Sequence, residues 1–265
     1  MSSTTNPEGG QEGGIVETIK TVVYAVLIAV VFRSVFFQPF WIPSESMKES
    51  LLIGDFLFVN KMAYGYSKYS CPFGLCPISG RILGSAPERG DVVVFRHPYN
   101  GQDFVKRLIG LPGDTVQMKE GILYLNGVVA PQEPAGVFEE LKAPQGPMQN
   151  LPGCRNDAAI GGICEKTRAI ETLPNGKKHT VLNITDQGFA DNTDVFTVPD
   201  GHYFFMGDNR DNSQDSRYNQ AQQGVGFVPA ANLIGRADRI MFSSAGRSLL
   251  FFWTWRTDRF FKAVE

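Results

Sequence analysis

DVVVFRHPYNGQDFVKRLIGLPGDTVQMKEGILYLNGVVA, residues 91–130, decides the fold. Its apolar runs are short, rich in Val, Ile, Leu and Phe, and each is bounded by Gly, Pro or Asp, the pattern of strands and not of helices. Asn126-Gly127, between ILYL and VVA, suits a two-residue hairpin, because both residues tolerate the positive φ of a type I′ turn. The spacing predicts strands within 91–98, 103–110 and 114–130. Upstream, DFLFVNKMAYG (55–65) reads the same way; downstream, Asn175-Gly176 marks a second hairpin and VFTVPDGHYFFM (195–206) returns to strand. Between them, residues 131–165 loosen into PQEPAGVFEE, APQGPMQNLPGC and AAIGGIC, which read as long loops or an insertion. No helix-period stretch interrupts this text, so a mostly β chain built on an antiparallel sheet is expected.

Composition agrees. The chain has 265 residues with 28 Gly and 16 Pro, 43% apolar and 20% charged, enough for a packed core with many turns. Lys+Arg at 25 against Asp+Glu at 27 gives a formal charge of -2 and no whole-chain electrostatic case for nucleic acid.

The N-terminal end is different text. Residues 1–14 carry polar, Gly and Pro-rich sequence and read as a disordered tail. From Ile15 to Phe37 the chain is apolar for long enough to make a helix of roughly 34 Å at ~1.5 Å per residue. That spans a hydrocarbon core of ~30 Å. Arg33 sits near its end, Phe36, Phe37, Phe40 and Trp41 form an aromatic cluster of interfacial type, and Pro39 is expected to stop the helix. A cleaved signal peptide is the alternative; bulky QPFWIP stands where a small-residue cleavage site should lie, which favours a retained anchor over 15–38. The C-terminal SSAGRSLLFFWTWRTDRFFKAVE mixes aromatics with Arg247, Arg256, Arg259 and Lys262; it fits an interfacial segment or a terminal strand plus helix.

Four cysteines, Cys71 and Cys76 at C-x4-C and Cys154 and Cys164 at C-x9-C, favour local disulfides and so a compartment outside the cytoplasm. Four free thiols stay open, and a zinc site is disfavoured by the wide second gap.

The catalytic vocabulary is sparse. His97, His179 and His202 have no triad context, and G-x-S-x-G, H-E-x-x-H and the phosphate-binding glycine loops are absent. What remains is a serine without a histidine. WIPSESMKESLLIGDFLFV places Ser44 and Ser46 in a Pro-bounded turn that can present a hydroxyl beside backbone N–H groups. Lys106 stands inside an apolar strand with Arg107 on the opposite face, so one of the two must point inward. An ordinary lysine is neutral in only roughly one molecule in a few thousand at pH 7, and burial raises that fraction. A desolvated lysine can therefore act as a base. GDNRDNSQDSR (207–217) is dense in carboxylate and amide side chains and suits a loop that hydrogen-bonds itself into one shape.

Together these segments resemble the type I signal peptidases, membrane-bound serine proteases that remove signal peptides from exported proteins. PSESM, LLIGDFLFVNKMAYG, RGDVVVFRHP, VKRLIGLPGD and GDNRDNSQDSR occur in the family's order. Glu45, where many bacterial members have Gly, the extra Cys71/Cys76 pair and the single anchor are departures. The resemblance implies a catalytic β domain over 39–114 and 200–265 with an inserted, variable β subdomain over 115–199. It implies Ser46 as nucleophile and Lys106 as general base, with the Ser46 N–H and Ser44 hydroxyl holding the oxyanion. Ser213 would orient the lysine, Asp215 and Arg217 would shape its loop, and Arg107 would be structural. GCRNDAAIGGIC looks like the family's short disulfide loop. Ile42, Pro43, Met47, Leu51, Phe104 and Val105 would line small pockets for an A-x-A cleavage site. No metal or cofactor is expected. The implied partners are preprotein signal peptides, membrane lipid and a nearby translocon, with a single pass through the bacterial inner membrane and the catalytic domain on the periplasmic side.

Rival readings fare worse. A Ser-Lys self-cleaving repressor needs a DNA-binding module that the chain does not show, and a penicillin-binding enzyme needs S-x-x-K, whereas Lys48 is only two residues after Ser46. A catalytically dead preprotein-holding module would not need Ser46, Lys106 and Ser213 together.

Overall fold

The computed structural model describes residues 11–246 and 250–265, so residues 1–10 of the expected tail and Arg247 lie outside the described residues. Helix α1 spans Gln11–Val35. It begins one turn before the apolar run, because a nucleated helix propagates into neighbouring polar residues at little cost. From Gly14 to Val35 its mean hydropathy is 2.2 and none of it is buried against the rest of the chain. It also ends earlier than expected, because Phe37–Trp41 is drawn into a sheet as strand β1.

Strands follow at β1 (Phe37–Trp41), β2 (Asp55–Asn60), β3 (Tyr66–Ser67), β4 (Arg81–Ile82), β5 (Val92–Arg96), β6 (Asp103–Gly110), β7 (Thr115–Lys119) and β8 (Ile122–Leu125). The rest are β9 (Val128–Val129), β10 (Gln132–Leu141), β11 (Ile163–Thr172), β12 (Lys178–Asn183), β13 (Phe196–Thr197), β14 (His202–Met206), β15 (Val228–Pro229) and β16 (Leu233–Ser243). A seven-stranded antiparallel sheet has the order β1-β2-β16-β5-β6-β14-β15. Smaller sheets run β10-β11-β12, β13-β7-β8-β9 and β3-β4. The fold is mostly β with one long apolar helix at its N-terminal end, as the sequence predicts.

Pro39 does not end the helix; it lies within β1, an edge strand, where its missing N–H breaks no ladder. Only Phe36 separates α1 from β1, and the junction is clamped. Tyr66 Oη donates to Val35 O at 3.0 Å, Lys61 N donates to Phe36 O at 3.1 Å, and the Phe32 ring lies 5.5 Å from that of Phe36.

Asn126-Gly127 makes its turn with φ of 52° and 77°, linking β8 to β9 as its composition requires. Residues 131–165 are less loose than their text: β10 occupies Gln132–Leu141 and pairs with β11. Pro134 and Gly136 disguise this strand, and a register shift between Pro134 and Val137 on the sheet edge accommodates them. The cysteines form two local disulfides, Cys71–Cys76 and Cys154–Cys164.

The C-terminal segment is neither strand plus helix nor wholly interfacial. Two short turns, Phe252–Thr254 and Thr257–Arg259, carry it. Two of its arginines face inward: Arg256 donates to Ile53 O at 3.0 Å, and Arg259 pairs with buried Asp55 at 2.6 Å. Phe252 and Trp253 face outward at 67% and 69% exposure.

Candidate active site

Strand β6 positions the basic residues. The sequence pattern leaves one of Lys106 and Arg107 pointing out, yet both are buried, because β6 is an inner strand covered on both faces. Phe104 and Leu108 pack with Val93, Phe95 and Phe205 on one side, while Val105 joins Ile42, Met47 and Leu51 in another cluster. Arg107 is neutralised by Asp208 in a two-pronged contact, Nε to Oδ1 and Nη2 to Oδ2 both 2.8 Å. Ser50 Oγ adds a 2.5 Å hydrogen bond to the same carboxylate. Burial pushes the Asp208 carboxyl up, but the Arg107 charge and hydrogen bonds more than reverse this and hold it below its ordinary value.

Lys106 has no such carboxylate in contact. Its Nζ donates to Ser46 Oγ and lies 5.7 Å from the Phe104 ring centre. Burial lowers its pKa from 10.5 to about 8; the charges of Asp215 and Asp208 oppose the fall and Arg217 assists it. The other half of the pair comes from the turn after β1. There Lys48 N bonds to Glu45 O at 3.1 Å and Leu51 N to Met47 O at 2.8 Å, a tight coil that seats Met47 and Leu51 in the core and brings Ser46 up to Lys106. Ser44, two residues earlier, is exposed, with its Oγ 3.5 Å from Ser46 Oγ.

The loop 207–217 closes the site from the end of β14. Asn209 N donates to Ser46 O at 3.0 Å, and Asn209 Nδ2 to Glu45 O at 3.2 Å. Asp215 meets Arg217 at 2.9 Å through both oxygens and accepts from Gly207 N at 3.0 Å, so the pair ties both ends of the loop together. Ser213 is buried here, and its hydroxyl lies toward Asp215, whose carboxylate it helps to hold below its ordinary pKa; it makes no hydrogen bond to Lys106, the orienting contact that the resemblance implies. Instead Ser213 stands over Gly207. A Cβ at Gly207 would lie 2.3 Å from Ser213 Oγ and 2.5 Å from Ser46 O, so only glycine lets the loop approach the nucleophile turn. Gly207→Ala is therefore expected to cost about 1–3 kcal/mol by overpacking and to lower turnover by displacing Ser46. Wild-type melting and turnover in this variant would refute the close-approach argument.

The six expected pocket residues divide. Ile42, Met47, Leu51 and Val105 belong to one buried cluster, whereas Pro43 and Phe104 remain partly exposed. Strand pairing leaves room for an extended ligand. β6 pairs with β5 along Asp103–Arg107, but with β14 only from Arg107 onward. The backbone of Asp103–Lys106 thus has no β14 strand beside it, next to the nucleophile turn.

Several residues that build this site were not singled out in the sequence. Asp208, Asn209 and Gly207 lie within a loop read as a unit, and Glu140 and Lys166 reach Glu45 and Lys48 only by folding, since no spacing rule connects residues 45, 140 and 166.

Comparison with known proteins places the chain in a family. The model of the family described as signal peptidase, peptidase S26 matches residues 15–242. Proteins named Signal peptidase I from Rickettsia canadensis (strain McKiel) and Rickettsia typhi (strain ATCC VR-144 / Wilmington) are each 39% identical, over 220 and 218 residues. Each alignment covers 78% of this chain and 72% of the relative. A crystal structure of a signal peptidase I from Enterococcus faecalis V583 is 28% identical and covers 57% of this chain and 97% of that one, with a TM-score of 0.29. A family match across residues 15–242 and relatives at 39% identity over most of both chains establish that the chain belongs to the signal peptidase, peptidase S26 family of serine peptidases.

Proposed function

We propose that the protein is a membrane-anchored endopeptidase that removes N-terminal signal peptides from exported preproteins with a Ser46–Lys106 dyad. The observation that carries this reading is the contact of a fully buried lysine amine with a serine hydroxyl. With Lys106 neutral the hydroxyl donates: Lys106 takes the Ser46 proton as Oγ attacks the scissile carbonyl, then returns it to the leaving amine. Water, deprotonated by Lys106, attacks the acyl-enzyme ester, and the proton goes back to Ser46. The Ser46 N–H and the Ser44 hydroxyl are the donors for the oxyanion. Ser213 and the Asp215–Arg217 pair support the loop that backs the lysine, and Arg107 serves the structure through Asp208. The chemistry needs no metal or cofactor.

An extended peptide would add to the backbone of Asp103–Lys106 opposite residues 42–47. Ile42, Met47, Leu51 and Val105 form a packed floor and Pro43 and Phe104 the accessible walls, leaving depth for small side chains only. That supports A-x-A selection. We further propose that residues 39–114 with 200–265 form the catalytic unit and 115–199 an insertion. α1 would cross the inner membrane once, with the catalytic unit on the periplasmic side near the translocon; the two disulfides support an oxidising compartment. Phe252 and Trp253 would rest on lipid.

A detergent-solubilised preprotein assay read by mass spectrometry tests the function. One cut after the second Ala of A-x-A supports it, and no cut by folded protein that still binds the preprotein refutes it. The pH dependence follows from Lys106. At pH 7 a group with a pKa of about 8 is neutral in roughly one molecule in ten, against about one in three thousand at 10.5. Because the neutral form is the base, kcat/KM should rise about tenfold per pH unit up to about 8 and then level off. A flat profile from pH 6 to 10 would contradict a titrating lysine.

A further inference from the structure

Glu45 separates the two serines of the nucleophile turn, and its side chain is 9% exposed. One carboxylate oxygen, Oε1, accepts from Gly153 N at 3.0 Å and from Asn212 Nδ2. The other, Oε2, faces Lys48 Nζ at 3.1 Å and Lys166 Nζ at 3.4 Å. Both lysines continue to Glu140, Lys48 at 2.6 Å, and Gln145 Nε2 donates to Glu140 at 2.7 Å. The ionic members are two carboxylates and two ammonium groups, so the set is neutral as a unit. That balance lets it sit in the interior. The two oxygens therefore have different duties: Oε2 is locked by charge to β10 and β11, and Oε1 is aimed at the residue just before Ser213.

We propose that Glu45 is a positioning residue, which holds the 207–217 loop against the nucleophile turn through Asn212. Asn209 makes the backbone side of that junction, and Glu45 makes its side-chain side. Anchoring through Lys48 and Lys166 fixes where the carboxylate stands, so the strands beyond residue 115 help set the register of Ser46 against the loop. This inference rests on the proposed Ser46–Lys106 dyad.

The experiment compares Glu45→Ala, Asn212→Ala and the double variant in the full-length protein, with Ser46→Ala alongside. Asn212 is exposed, so Asn212→Ala keeps the test alive if Glu45→Ala melts early. Each single variant should lower kcat about tenfold or more with KM changed less than threefold, and the double variant should be no worse than the weaker single. Glu45→Gln, whose amide oxygen can still accept from Asn212 but whose NH2 would face Lys48 and Lys166, should retain more kcat than Glu45→Ala while staying below the parent. Additive losses, an effect on KM alone, or unchanged kcat in folded Asn212→Ala overturns the proposal. If instead Ser46→Ala still cuts, the dyad itself has failed, which is a separate outcome.

Discussion

Ser46→Ala is expected to lower kcat by about 10⁴-fold or more while leaving the melting temperature close to that of the parent, and Lys106→Met should do the same. The size follows from removing one member of a unit that works only together, where single losses approach the whole effect. Ser46 is small, and its replacement by Ala opens almost no cavity. Lys106 is 4% exposed, so Met, which fills most of its volume, is the substitution that separates chemistry from packing. The Met variant removes a buried amine from an apolar strand and need not destabilise the fold. The measurement is single-turnover cleavage of a preprotein, followed by gel and mass spectrometry, with circular dichroism melts on the same samples. Cleavage by either folded variant within a hundredfold of the parent would end the dyad reading. The double variant should be no slower than the singles.

Asp208→Ala is expected to cost about 3–5 kcal/mol, a large share of a domain's net stability. Arg107 would be left charged and buried, with Ser50, the Gly90 carbonyl and Glu265 O as its remaining partners and no side-chain carboxylate against it. Replacing both members by apolar residues of similar volume, Arg107→Met with Asp208→Leu, should recover most of the loss, because the penalty is the orphaned charge and not the absence of an ion pair. Denaturant melts at pH 7 distinguish the two. A single variant that loses less than about 1 kcal/mol would mean that Arg107 finds water. The folded pKa of Asp208 lies below its ordinary 3.8, so the carboxylate's contribution is complete above that value and is lost as pH falls through the lowered one.

Much of this molecule was legible in its sequence because local chemistry dictated it. Asn126-Gly127 could hardly be anything but a hairpin, and Ser46, Lys106 and the 207–217 loop each carried a residue type that needs a reason to be where it is. Three features were not legible, each because a tertiary partner overrode a local signal. Pro39 reads as a helix stop, but a vacant sheet edge converted it into a strand residue. Pro134 and Gly136 read as loop until a bulge at another edge absorbed them. Lys106 and Arg107 lie on opposite faces of their strand, so the sequence offers no reason for both to be buried; Asp208, 101 residues away, explains the burial of Arg107. The role of Glu45 was invisible for the same reason, since its side-chain partners come from residues 48, 153, 166 and 212.

The single residue between α1 and β1 carries a further consequence. The Tyr66 hydroxyl donating to Val35 O and the Lys61 N–H donating to Phe36 O remove the slack that a linker would provide, and β1 leads within a few residues to Ser46. If α1 is embedded as proposed, Ser46 would ride at one altitude above the lipid, like a blade on a fixed post. Cleavage sites would then be measured by how far they emerge from the bilayer as well as by their side chains. A preprotein with a perfect A-x-A displaced along its stalk would pass uncut.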